Sequence, residues 1–232
     1  MRRLGRVPYA EALALQEQQV RLRQRGEAPD TLFLLEHAPV YTLGRNALHQ
    51  NLLLPEATLR RRGFDVFETG RGGDVTYHGP GQLVAYPILE LSPDRRDVHR
   101  YVNDLEEVMV RLCGDYGLAA SRVAGLTGAW VGPNKIGAIG VRIARWVTSH
   151  GLAFNVTTDL APFEWIVPCG IRDRGVTSLA RLLGRPVSLD EVADRLAAHF
   201  VGVFGHAPIQ ASPPTHDHTA TTYSSFRGGG PA

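Results

Sequence analysis

The chain is almost without lysine. Among its 232 residues, 25 are Lys or Arg, and only Lys135 is a lysine. Cysteine is scarce too: Cys113 and Cys169 stand alone, far apart in sequence, which excludes a disulfide framework and a zinc-ligand pattern. No run of 18 apolar residues occurs, so no spanning helix is expected. The basic start Met1-Arg2-Arg3 leads into no apolar signal core, and a cytoplasmic location is expected. A net charge of +2 gives little ground for nucleic-acid binding. The rest, 44% hydrophobic and 21% charged, is ordinary globular composition.

The apolar spacing predicts helices over 9–25, 55–62 (stopped by Gly63) and 97–116 (stopped by Gly117). Ser188-Leu189-Asp190-Glu191 reads as a capping box opening a helix to about residue 203. Strands are expected at 31–35 and 40–43 around the turn His37-Ala38-Pro39, at 64–67, and at 74–77 and 83–89 around His78-Gly79-Pro80-Gly81. Further strands are expected at 128–131, 136–143 and 151–156. Because strands come in apparent hairpins and not in alternation with helices, the plan is α+β: a mixed, largely antiparallel sheet packed with helices. One catalytic domain over 1–207 is expected. Residues 208–232, rich in Pro, Ser, Thr, Gly and His, form an expected mobile tail that cannot bury a core. No role is assigned to its His216 and His218.

Two stretches are built for close approach. Arg71 to Gln82 packs four glycines and one proline around Tyr77 and His78. It is neither a phosphate-binding Walker loop nor a dinucleotide fingerprint, since no Gly-Lys-Ser/Thr and no helix follow. It is either one wall of a binding groove or a pair of tight turns. Gly137, Ala138 and Gly140 alternate with Ile136, Ile139 and Val141 just after Lys135. Glycines inside a strand often mark the approach of a ligand or another backbone.

Arg cannot lose its proton in a protein, whereas a desolvated Lys can. Lys135 is therefore either a proton-transfer group or point cation, or a surface residue kept by chance. Cys169, between Pro168 and Gly170, sits at a bend where a nucleophile could be presented, or is simply a half-buried thiol. Cys113, on the amphipathic helix, reads as packing. A lone His150 is more often structural than catalytic. A cation near a thiol favours the thiolate, and the same amine, once neutral, could later take a proton from an incoming nucleophile. Arg at 135 could do the first and not the second.

RGGDVTYHGPGQ (71–82), KIGAIGVRI (135–143), HGLAFNV (150–156) and PCGI (168–171) resemble, in order and spacing, the motif set of the lipoyl(octanoyl) transferases, the lipoate-protein ligase B family. The similarity covers about residues 4–205. It implies a biotin/lipoate-protein-ligase-like catalytic domain that transfers an octanoyl group from octanoyl-acyl carrier protein to a lysine of lipoyl domains. The acceptors implied are 2-oxoacid dehydrogenases and the glycine cleavage H protein. It further implies Cys169 as acyl-thioester nucleophile and Lys135 as the residue lowering its pKa. The acyl site would be lined by Arg71, Gly72, Gly73, Asp74, Val75, Thr76, Tyr77 and His78, by Ala138, Ile139 and Gly140, and by Gly151, Leu152 and Ala153, with His150 in support. No cofactor, metal, ATP, nucleic acid or membrane is expected, and the protein is expected to act as a monomer. The rivals are an ATP-dependent ligase on the same scaffold and a non-catalytic carrier- or lipoyl-domain-binding module. The runs Arg21, Arg23, Arg25 and Arg60 to Arg62 are either a docking face for an acidic carrier or ordinary solvated surface.

Overall fold

A computed structural model of the protein describes residues 1–167 and 174–205. Cys169 and the tail from 206 on lie outside the described residues.

The strongest helical signal gives the longest helix. In α3 (Val98–Gly114), Tyr101, Leu105, Val108, Met109, Leu112 and Cys113 form one buried stripe, as a 3.6-residue period requires. Asp97 caps it by accepting the Arg100 N–H at 3.1 Å. Helix α5 (Leu189–Phe204) begins at the expected capping box, where Ser188 Oγ accepts the Glu191 N–H. The two helices pack on each other and cover one face of the main sheet.

That sheet has eight strands: β1 (Arg2–Val7), β2 (Thr31–His37), β6 (Gln82–Ile88), β10 (Val147–Asn155), β9 (Asn134–Ala144), β8 (Leu126–Val131) and β7 (Ala120–Val123) in spatial order, with the two-residue β11 (Gly175–Val176) added on β9. All pairings are antiparallel except β1 with β2 and β11 with β9. Helix α1 (Tyr9–Gln24) lies on the opposite face, over Phe33, Leu35, Val84, Tyr86 and Ala153. A separate three-stranded sheet, β4 (Asp65–Glu68), β3 (Val40–Leu43) and β5 (Val75–His78), has its own aromatic core with the short helix α2 (Glu56–Arg61) and Phe163. The architecture is α+β with a largely antiparallel main sheet, as expected.

Two expected hairpins are corrected. The turns His37-Ala38-Pro39 and His78-Gly79-Pro80-Gly81 do not join paired strands; each carries the chain between the two sheets. The small sheet is thus laid against the large one at two crossings. Strands β1, β7 and β11 and helix α4 (Leu179–Leu183) were not foreseen. In β1 (RRLGRV) five of six residues are exposed or half-buried, so the edge strand carries no apolar alternation to read.

Candidate active site

The site lies where the two sheets face each other. Ala138 and Gly140 on β9 stand opposite Ala153 and Gly151 on β10. All four project to the α1 side, while Ile139 and Leu152 alternate to the α3 side and join that core. The floor is therefore made of small residues for a steric reason. A Cβ on Gly140 would stand 2.8 Å from Cδ of Arg71, and one on Gly151 would run into the Ala85 carbonyl.

Above this floor passes the segment 71–78. The Gly72 N–H donates to the Val141 carbonyl at 2.8 Å, which clamps the segment onto β9. Arg71 is buried; its Nη2 donates to the Thr42 carbonyl (2.6 Å) and Oγ1 (2.8 Å), and its Nη1 to the Gly72 carbonyl (3.0 Å). The cavity between is bordered by Arg71, Gly73 to Thr76, His78, Ala138 to Gly140 and His150 to Ala153. Tyr9 from α1 and Tyr86 from β6 also border it. Sequence reasoning missed these two tyrosines, since each looks like an ordinary core residue of its own element.

The expected lining divides by role. Tyr77 turns away, its ring packed among Tyr41, Phe64 and Phe163 of the small sheet. Asp74 acts as a loop staple: Oδ1 accepts the Leu48 N–H at 3.2 Å and the Val75 N–H at 2.7 Å, and Oδ2 accepts Asn51 Nδ2 at 2.5 Å. Gly72 contributes its backbone clamp and does not border the cavity.

A buried cluster of rings closes one side. His37 Nδ1 lies 2.9 Å from the Val7 carbonyl and so carries the proton; Nε2 then accepts from the Tyr86 hydroxyl at 2.7 Å. His78 stacks toward Tyr9 and meets His37 edge-on. His150 stands edge-on to Tyr86, with a left-handed φ of 57° and its N–H donated to Gln16 Oε1 at 2.7 Å. Burial pushes His37 and His150 down to about 4. Burial and then the neighbouring His37 push His78 to about 3. All three are neutral at pH 7.

Lys135 is buried at 7% exposure, three positions before Ala138 on β9, and does not itself border the cavity. Its Nζ lies 4.8 Å from the centroid of the Trp130 ring, its neighbour across β8, and Arg174 approaches the same ring at 5.3 Å. His150 pairs with Val141, six residues along β9 from Lys135, or about 20 Å at the usual strand rise. The two therefore stand far apart along β9, with only His150 bordering the slot. Cys169 lies outside the described residues, but both flanks of its segment are fastened. On one side the Val167 N–H donates to the Asn51 carbonyl at 2.8 Å and Ile166 bridges Leu52. On the other, Gly175 and Val176 pair in register with Asn134 and Lys135. Cys113 is fully buried, and burial pushes its thiol up to about 12.

The arginine runs are largely compensated at home. Arg23 binds Asp30 and Glu90, Arg25 binds Glu27, and Arg60 binds Glu56. Arg62 lies over Trp165. Among the described residues, no helix is long and apolar enough to cross a membrane.

Residues 8–201 match the lipoyl protein ligase A/B catalytic domain. An octanoyltransferase of Solibacter usitatus is 55% identical over 204 residues, covering 88% of this chain and 92% of that protein. One of Rubrobacter xylanophilus is 53% identical over 208 residues, covering 88% and 93%. Among solved structures, a lipoate-protein ligase A bound with ATP superposes with a TM-score of 0.72 at 20% identity, covering 91% of this chain and 88% of that one. A lipoate protein ligase of Thermoplasma acidophilum gives 0.71 at 18%, covering 91% and 86%. These structural likenesses speak for the fold. With a family match across most of its length and relatives this similar over nearly all of theirs, the chain belongs to the lipoyl protein ligase A/B catalytic-domain family, on its octanoyltransferase side.

Proposed function

We propose that the protein is a cytoplasmic acyltransferase that moves an octanoyl group from octanoyl-acyl carrier protein onto Cys169, and from there onto a lysine of lipoyl domains. The acceptors would be 2-oxoacid dehydrogenases and the glycine cleavage H protein. The observation that carries this reading is the narrow slot floored by Ala138 and Gly140 on β9, the strand that bears Lys135, and by Gly151 and Ala153 on β10. An extended apolar chain suits that shape. Each methylene it buries contributes about 0.8 kcal/mol, so a slot of fixed depth can select chain length.

The steps follow from the two groups. Lys135 Nζ takes the Cys169 proton, leaving a thiolate beside an ammonium. The thiolate attacks the donor thioester carbonyl; the tetrahedral oxyanion collapses and expels the carrier thiolate, which takes the proton from Lys135. The neutral amine then accepts a proton from the acceptor lysine as that nitrogen attacks the acyl-enzyme, and the Cys169 thiolate leaves. A thioester is already activated, so no nucleotide is consumed. Support for a meeting of the two groups comes from the fastened flanks. Val167, two positions before Cys169 in sequence, and Val176 border one cavity, and Val176 is paired to Lys135.

The test is transfer from octanoyl-carrier protein to a lipoyl domain with ATP omitted. Amide product is expected. A strict ATP requirement would instead identify an adenylating ligase on the same scaffold, and binding without turnover a docking module.

A further inference from the structure

A directional chain of buried hydrogen bonds runs from the slot to the lysine's own backbone. His78 Nδ1 donates to Gln82 Oε1 at 2.7 Å. Gln82 Nε2 donates to Asn155 Oδ1 at 2.9 Å and to the Tyr77 carbonyl at 3.2 Å. Asn155 Nδ2 donates to the Thr177 carbonyl at 3.0 Å, and the Thr177 N–H donates to the Lys135 carbonyl at 2.9 Å. The Tyr77 and Thr177 carbonyls can only accept, so both amides have one possible orientation. Gln82, Asn155 and Thr177 are exposed by 2%, 4% and 3%. A buried network with every member satisfied holds one geometry.

We infer that Asn155, oriented by Gln82, is a positioning residue for Lys135. It acts through β11, whose two residues are too few to hold against β9 unaided. Their anchor is Thr177, bonded through its N–H to Lys135 and through its carbonyl to Asn155. Removing the Asn155 donor leaves a buried carbonyl without a partner, so the 175–177 segment shifts and Lys135 loses its fixed place. Asn155 does not itself border the slot, and its effect falls on the chemical step. The inference rests on the Cys169–Lys135 reading.

The experiment compares the full-length wild type with Asn155→Asp, which keeps the acceptor for Gln82 and replaces the donor aimed at Thr177. Three quantities are read on folded protein: kcat, KM for octanoyl-carrier protein, and the rate at which iodoacetamide alkylates Cys169. Misplacement of the dyad predicts kcat about 10- to 100-fold lower, slower alkylation, and KM changed by less than about twofold. If Asn155→Asp does not fold, Gln82→Met, which removes the group orienting Asn155 along with its bonds to His78 and the Tyr77 carbonyl, is read by kcat and Cys169 alkylation. Wild-type kcat and alkylation in a folded variant that has merely lost thermal stability would overturn the positioning role. A wild type that forms no octanoyl adduct on Cys169 would instead overturn the dyad reading itself.

Discussion

Arg71 crosses directly over Gly140, close enough that a single methyl group on the glycine would stand 2.8 Å from Cδ of the arginine. The guanidinium cannot simply swing aside, because Thr42 and the Gly72 carbonyl hold it. Glycine at 140 thus sets how far the upper wall stands from the floor.

Gly140→Ala should therefore cost about 1–3 kcal/mol of stability by overpacking and narrow the slot. The expected kinetic result is a several-fold rise in KM for an octanoyl donor, with a smaller change for a hexanoyl donor. An unchanged ratio of kcat/KM between the two donors would show that the crossing does not bound the acyl site.

Lys135→Arg should separate the two half-reactions. A guanidinium beside Cys169 still favours the thiolate, so acyl-enzyme should form. It cannot become a neutral base, so transfer to the lipoyl-domain amine should fall by about 100-fold or more. Single-turnover measurements of each half resolve this; equal loss in both would contradict the two-stage role.

The neutral histidines make stability depend on acid. His37 and His150 titrate near 4 and His78 near 3 in the folded protein, against about 6.5 when unfolded. Between these values the unfolded chain binds more protons. Stability is thus fully present above about pH 6.5 and declines as pH falls toward 4, by up to about 1.4 kcal/mol per pH unit for each histidine. Urea unfolding from pH 7.5 to 4.5 measures the slope, and His37→Gln should flatten it. A variant slope equal to that of the wild type would mean His37 is not buried neutral.

The two thiols should differ sharply. Cys113 is fully buried with its pKa pushed to about 12, so it should resist iodoacetamide until the protein unfolds. Cys169 should react in the native state. Peptide mapping that finds native alkylation at Cys113 would place the helix packing in error.

Much of this was legible because local chemistry announced it. The buried stripe of α3, the Ser188 cap and the small residues after Lys135 each carry their signal within a few positions. The traffic between the two sheets did not, because a turn such as His37-Ala38-Pro39 looks alike whether its strands pair or part; the partners are chosen by distant residues. The same limit hid Tyr9 and Tyr86, which reach the slot from α1 and β6, and the inward or outward sense of Tyr77. His150 came out opposite Val141, six positions along β9 from Lys135, a separation that follows from the β9–β10 register alone.

The most direct test of the central claim is the intact mass of the protein after mixing with octanoyl-acyl carrier protein. The account predicts one octanoyl adduct, mapped to Cys169, absent in Cys169→Ser and discharged on adding a lipoyl domain. An adduct that persists in Cys169→Ser, or product formed with no covalent intermediate at residue 169, would contradict it.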